Sequence, residues 1–456
     1  MELIIKNGTV VTAKETYLAD VGVAGGKIVA IAEKLEDPEA RVIDATGKYV
    51  MPGIIDGHVH LALPFGGTVS ADDFSSGTKA AAFGGVTTIV DFAIQMKGES
   101  LADAIARRRA EADGKVCIDY GLHVGITDAR EEVLREIPEV ISNGCPTFKL
   151  FMTYDAFVVD DGTLLSIIEK TTDSGGMVGV HAENHKIIGY LTARLLSEGK
   201  TAPQYHAVSR PDWCEAEATS RAIRLAEAVG GKLYIFHLTC SRALDEVVAG
   251  RERGMPVYAE TCPQYLLLTA DCYLEPDFGG AKYVMSPPLR TAFDNEALWK
   301  GLRDGYLQVV GSDHCPFTME QKKLGLGDFT KIPNGAPGVE TTLPLLYSEG
   351  VLKGRISLNR MVEVLSTNPA CLFGLPNKGS LAVGYDADIV IFDPDKEVVL
   401  SYQDLHMCTD YSPYEGLRVK GYPVTTISRG RVIVENGIFT GDFTHGRFVA
   451  RRLPQF

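Results

Sequence analysis

The 456-residue sequence has no CxxC pair, no excess of basic residues and no long apolar run. Each absence removes a class of function. Without about 18 consecutive apolar residues there is no candidate membrane-spanning helix. Lys and Arg number 45 against 59 Asp and Glu, for a formal net charge of −14. A field of that sign repels phosphate backbones and anionic lipid, which argues against a nucleic-acid or membrane partner. The nine cysteines, at 117, 145, 214, 240, 262, 272, 315, 371 and 408, are scattered and odd in number. They read as reduced thiols rather than a disulfide framework. Met1-Glu2-Leu3-Ile4-Ile5-Lys6 lacks a signal-peptide pattern, so the expectation is a soluble cytoplasmic protein. No internal repeat or low-complexity tract interrupts the chain.

What is present is 45% hydrophobic and 23% charged residues, an ordinary globular composition. The length suggests one large domain with a smaller one. The first fifty residues read as short strands joined by hairpin signals, Asn7-Gly8 between Leu3–Ile5 and Val10–Thr12, and Gly25-Gly26 between Val21–Val23 and Ile28–Ile31. From Gly53 the texture changes. Candidate strands at Ile54–His60, Val86–Phe92, Ile118–Val124, Thr147–Phe151, Val178–His181, Leu233–His237, Val257–Glu260 and Leu307–Ser312 alternate with helix-like stretches. Eight such alternations over about 320 residues predict a (β/α)8 barrel. A doubly wound open sheet is disfavoured because no glycine-rich phosphate turn follows the first strand. After Leu375 the short-strand texture returns, at Ile389–Phe392, Val398–Leu400, Val424–Ile427, Arg431–Val434 and Ile438–Thr440. The expectation is a catalytic barrel over 53–375 and a small β-sandwich domain built jointly from 1–52 and 376–456.

Barrel chemistry sits at the C-terminal ends of the strands. Those positions carry His58 and His60, Lys149, His181, His237 and Asp313. Two histidines two apart on a strand project to one face and suit a divalent metal. Taken singly, each residue has a blander role: a strand-end histidine can be a hydrogen-bonded core residue, Lys149 can snorkel, and Asp313 can cap a turn. Six at predicted strand ends point jointly to a metal centre. An ammonium beside two cations would be repelled, and burial lowers its pKa. A neutral Lys149 can instead add carbon dioxide, giving an N6-carboxylysine whose two oxygens bridge two ions, zinc or alternatively manganese. His58, His60 and Asp313 would hold one ion, and His181 and His237 the other. A hydroxide bridging the pair would be the nucleophile, with Asp313 as general base and acid.

The local sequences extend this pattern: His60-Leu61 followed by Pro64–Thr68, Phe148–Tyr154, His181-Ala182-Glu183-Asn184, Met285–Arg290, Ser312–Phe317 and Ile332–Gly335. Over essentially the whole chain the sequence resembles the D-hydantoinase/dihydropyrimidinase family of the amidohydrolase superfamily. The resemblance implies hydrolysis of hydantoin or dihydropyrimidine rings to N-carbamoyl amino acids, and a homotetramer. It also implies that Tyr154 donates its hydroxyl to the substrate and developing oxyanion. Ser286 and Asn334 would hold the ring through backbone groups. The loops with Leu63, Phe65, Phe151, Met152 and Phe157 would cover the ring and its substituent, although each also fits a core role. The family often has aspartate where this chain has Ala62. His185 reads as a surface or supporting residue, His123 as core and His314 as an orienting neighbour. Cys240, Cys262 and Cys315 read as packing residues. Dihydroorotase is disfavoured because Leu61–Pro64 offers no cation for a carboxylate. An allantoinase-like hydrolase is the nearer rival. A non-enzymatic assembly role is disfavoured by retention of all six site residues.

Overall fold

A computed structural model describes residues 1–455. Eight parallel strands, Ile54–Asp56, Val86–Ile94, Asp119–Gly125, Thr147–Phe151, Met177–His181, Leu233–Ile235, Val257–Thr261 and Val309–Val310, pair in chain order. The first and eighth meet through a parallel bridge between Val59 and His314, which nearly closes the barrel. The strands are apolar on both faces, as helices on the outside and packed side chains inside require. Every residue of Val86–Ile94 except the last is buried. Several helices between the strands begin where short polar side chains satisfy their free N–H groups. Asp73 caps Phe74–Phe83, Ser100 caps Leu101–Ala112, Asp160 caps Asp161–Asp173 and Thr291 caps Ala292–Arg303.

The predicted barrel strands are found in place, with one difference that matters for the site. The first strand stops at Asp56 instead of running to His60. His58 and His60 therefore stand on the segment that bridges to strand eight, not inside a regular ladder. His237 and Asp313 likewise lie beyond their strands.

The second sheet has nine strands, mostly antiparallel, and draws on both ends of the chain. Its seam pairs Tyr49–Pro52 with Ile389–Val399, with Val50 opposite Ile391 and Met51 opposite Val390. Gly25-Gly26, both at positive φ, makes the predicted hairpin turn. Asn7-Gly8 does not. Leu3–Val11 is one strand, and Asn7 forms a bulge within it at φ 60°, where the register against Thr16–Ala24 shifts. The Asn7 amide donates to Asp20 Oδ1 at 2.8 Å, and this bond replaces the ladder bond that the bulge removes. Among the described residues no helix is long and apolar enough to cross a membrane.

One buried ion cluster joins the sheets. Lys378 Nζ lies 2.9 Å from Asp119 at the start of barrel strand three, 2.5 Å from Asp388 and 3.3 Å from Asp386. Arg429, at a turn of the terminal sheet, donates to both oxygens of Asp119 at 3.0–3.1 Å. Burial alone would raise the Asp119 pKa, but Lys378 and Arg429 hold it below the usual carboxylate range. Removing a partner from such a cluster leaves charge uncompensated in a dry interior. Lys378→Met is expected to cost about 3–5 kcal/mol, read as a lower urea midpoint. An unchanged midpoint would assign the inter-sheet lock elsewhere.

Candidate active site

His58 is wholly buried, and its Nδ1 is bonded to the Glu260 carboxylate. That bond leaves Nε2 as the free ring nitrogen. It lies 3.2 Å from His60 Nε2 and 3.1 Å from Asp313 Oδ1, and His60 Nε2 is 3.3 Å from the same oxygen. Three ligand atoms thus converge on one point. Burial lowers the pKa of His58, His181 and His237, so the imidazoles are neutral, the form that binds metal. Burial also pushes on the Asp313 carboxyl, yet His58 and His60 hold it below its ordinary value.

Lys149 lies beside this group with 1% exposure. Its Nζ sits 3.7 Å from the centroid of the Phe236 ring and about equally far from Phe92 and Phe151, at 5.5 and 5.4 Å. Among the described residues it forms no ion pair. Burial lowers its pKa to about 7, against the weaker pull of Glu260 and Asp313. His181 and His237 stand edge to face with ring centroids 4.5 Å apart. The Nδ1 atoms of His60 and His237 are buried without a hydrogen-bond partner.

Above these groups is an open pocket, about 530 Å³ of empty space with the solvent at its mouth included. His60, Lys149, His181, His237 and Asp313 line its base, Leu63, Phe65, Phe151 and Phe157 contribute apolar wall, and Tyr154, Ser286 and Asn334 supply polar groups. His58 lies beneath the cavity, and Met152 is packed into the core instead of facing it. Burial raises the Tyr154 pKa to about 12, so its phenol stays protonated and can donate. Ser286 Oγ accepts from Asn334 Nδ2 at 3.1 Å, and His206 Nε2 stands 3.2 Å from the same oxygen. The loop after His60 turns back at Gly66-Gly67 to pair Pro64–Phe65 with Thr68–Val69. Four of the ten non-glycine residues at positive φ, Ala62, Tyr154, His237 and Asp313, are at this mouth. Such strain collects at functional sites because the surroundings over-determine the backbone there.

The remaining histidines take other places. His123 is core, bonded to Thr147 Oγ1 at 2.6 Å and the Gly57 carbonyl at 3.0 Å. His314 pairs with Asp72 at 3.1 Å, and His185 faces Asp155 at 3.4 Å from the first turn of a helix. Cys315 lines the cavity, whereas Cys240 and Cys262 are buried away from it. Burial and nearby acids raise the Cys315 thiol, which keeps it in the unreactive form.

Sequence reading overlooked the groups that hold the ligands. Glu260 accepts from Tyr234 at 2.8 Å and from the His237 amide at 3.1 Å, besides its bond to His58. Glu183 accepts from His181 Nε2 at 2.7 Å and from Arg210 at 2.5 Å. An acidic residue ending predicted strand seven was a usable signal for Glu260, as was Glu183 two residues after His181.

Residues 49–433 match the amidohydrolase family. The chain is 50% identical over 455 residues to the D-hydantoinase of Geobacillus stearothermophilus, covering 99% of this chain and 97% of that one. It is 42% identical over 458 residues to the D-phenylhydantoinase of Escherichia coli strain K12, covering 99% and 98%. Its fold superposes on the crystal structure of dihydropyrimidinase from Brevibacillus agri with a TM-score of 0.99 at 50% identity over the full length of both chains. With the L-hydantoinase (dihydropyrimidinase) of Arthrobacter aurescens the TM-score is 0.90 at 34% identity, covering 99% and 100%.

Glu260→Gln should keep the barrel and weaken divalent-metal affinity about 10–100-fold, because the orienting acceptor for His58 is lost. Competition against a zinc chelator measures this; unchanged affinity would reduce Glu260 to a packing role.

Proposed function

Because the chain belongs to the amidohydrolase family, in its D-hydantoinase and dihydropyrimidinase branch, and is a hydrolase of cyclic amides, we propose that it opens hydantoin and dihydropyrimidine rings to N-carbamoyl amino acids at a two-metal centre. Lys149 carries the reading: a fully buried amine that forms no ion pair among the described residues, amid four histidines and an aspartate. The donor set fits cations. Two imidazole nitrogens and a carboxylate oxygen crowd together at 3.1–3.3 Å, a donor set that a bound cation makes favourable. Neutral Lys149 would add carbon dioxide, forming an N–C bond and releasing a proton, and its two carbamate oxygens would complete both sites. His58, His60 and Asp313 would hold one ion and His181 and His237 the other, zinc or manganese suiting these nitrogen and oxygen donors. When bound, such ions ionise a water near neutral pH and polarise a carbonyl.

The chain's own groups supply the rest. Asp313, kept ionised by its histidine neighbours, takes the proton of the attacking water and returns it to the departing ring nitrogen as the amide C–N bond breaks. Tyr154 donates its phenolic proton to the oxygen that gains charge. Ser286 and Asn334 hold the ring through backbone N–H and C=O groups. Leu63, Phe65, Phe151 and Phe157 face an apolar substituent. Among the described residues Lys149 is the only lysine or arginine lining the cavity, which disfavours an anionic ring such as dihydroorotate. We assign the catalytic unit to 53–375, from which all these residues come, and the composite β unit to 1–52 with 376–456. The reading includes a homotetramer, as the family resemblance implies. It also includes a reducing cytoplasm, which nine free cysteines support.

Turnover of dihydrouracil, hydantoin, both 5-phenylhydantoin enantiomers and allantoin by the zinc- or manganese-loaded protein tests this. Ring opening of the first four, weak action on allantoin, and loss of metal and turnover together in Lys149→Ala are expected. A preference for allantoin, or full activity in Lys149→Ala, would overturn the substrate or the carbamate. Tyr154→Phe should lower kcat about 10²–10³-fold with metal content intact; a wild-type kcat would remove Tyr154 from the chemistry.

A further inference from the structure

Lys322 lies outside the metal centre, on the short helix Met319–Lys322, and is fully buried. A buried lysine ordinarily pairs with a carboxylate. This one instead donates to three backbone carbonyls, Val284 at 2.9 Å, Pro333 at 2.7 Å and Gly335 at 2.7 Å. Three acceptors match the three protons of an ammonium. Desolvating the ammonium is costly, and what it supplies in return is a donor for the carbonyls of Pro333 and Gly335, which accept from no backbone N–H among the described residues.

The three carbonyls belong to the segments that carry Ser286 and Asn334. Two of them flank Asn334. In a planar trans peptide the C=O and the next N–H point in opposite directions. Turning the Pro333 carbonyl onto Lys322 therefore turns the Asn334 N–H away from it, and Asn334 lines the cavity. Among the described residues that N–H makes no backbone hydrogen bond. The second segment is tied to the first by Gly335 N donating to the Val284 carbonyl at 3.0 Å, the same oxygen that Lys322 holds. The neighbouring Gln321 donates to Thr68 Oγ1 at 2.8 Å and to the Val69 carbonyl at 2.7 Å. One helical turn thus grips three segments around the cavity.

Resting on the hydrolase reading above, we propose that Lys322 is a positioning residue for substrate: by holding the carbonyls of Pro333, Gly335 and Val284 it aims the Asn334 N–H at a ring carbonyl and sets its distance from the Ser286 segment. The group touches neither metal ligands nor reacting atoms, so its effect is on ring binding and not on the chemical step.

The test is steady-state kinetics of metal-loaded Lys322→Met on hydantoin, with metal content measured on the same samples. KM should rise about ten-fold or more, the loss of one well-aimed hydrogen bond, while kcat and two-ion content stay near wild type. A merely structural lysine would lower the active fraction, hence apparent kcat, at unchanged KM, and that result would overturn the proposal. Should Lys322→Met fail to fold, Lys322→Gln keeps two donors and should give a smaller rise in KM; a wild-type KM in that variant overturns the proposal equally. Wild-type protein that opens no cyclic ureide would overturn the functional reading itself, whereas active wild type with an unaltered Lys322 variant sinks this assignment alone.

Discussion

The first and eighth barrel strands cannot hold each other with a long ladder, because they run for only three and two residues. Closure rests on a few bonds across the gap. Asp56 Oδ1 accepts from the amides of both Ser312 and His58 at 3.1 Å, and the His60 amide donates to the His314 carbonyl at 2.8 Å. These bonds do two jobs at once. They seal the barrel, and they fix His58, His60 and Asp313 within 3.3 Å of one another although 255 positions separate His58 from Asp313. A site assembled by the closure of its own scaffold needs little further ordering when a ligand arrives.

The same closure buries most of the site, and burial decides the charge states. Burial drives His58, His181, His237 and Lys149 toward their neutral forms, so these residues contribute electron pairs without a matching load of positive charge. Acids placed behind the ligands keep the rings oriented. Glu260 touches both His58 and the His237 backbone, which links the two halves of the centre. Glu183 holds His181 and is itself held by Arg210. Phe92 on strand two and Phe236, one residue past strand six, pack around the lysine, which forms no ion pair among the described residues. An amine in that position is reactive toward a small neutral molecule rather than paired off in a salt bridge.

The barrel strands could be read from apolar runs because their two buried faces leave a continuous signal, and the site residues because chemistry at strand ends has a fixed register. Legibility failed where a contact depends on the return path of the chain. Asn7-Gly8 has hairpin composition, but Asp20 on the neighbouring strand captures the Asn7 amide and turns the would-be hairpin into a bulge. Nothing in the local sequence sets Lys378 or Lys322 apart among the 45 basic residues. Only the fold brings one against three carboxylates and the other against three carbonyls. Local pattern does not name a partner outside its own element, whether 10 positions away, as Asp388 is from Lys378, or 259, as Asp119 is.

The loop after His60 divides into a rigid start and a freer tip. Leu61 is held at both backbone groups, its N–H by Asp91 at 2.9 Å and its carbonyl by Arg108, while the Ala62 amide donates to the Asp72 carbonyl at 2.7 Å. These bonds force Ala62 to φ 46°, a conformation costing an alanine roughly 1–2 kcal/mol and an aspartate or asparagine less. The backbone geometry is therefore set by the scaffold and not by the side chain at this position. Alanine here keeps a carboxylate out of the segment leading to the apolar wall of Leu63 and Phe65. Beyond it, the tip is tied down through Ser70, through Gln321 and through the Ala71 amide, which donates to the Pro316 carbonyl at 2.7 Å, while Phe65 packs against Tyr154 and Phe157. The metal floor is thus fixed by closure, while selection among ring substituents falls to a short hairpin with few anchors, the part of the site that sequence change can alter without disturbing the metals.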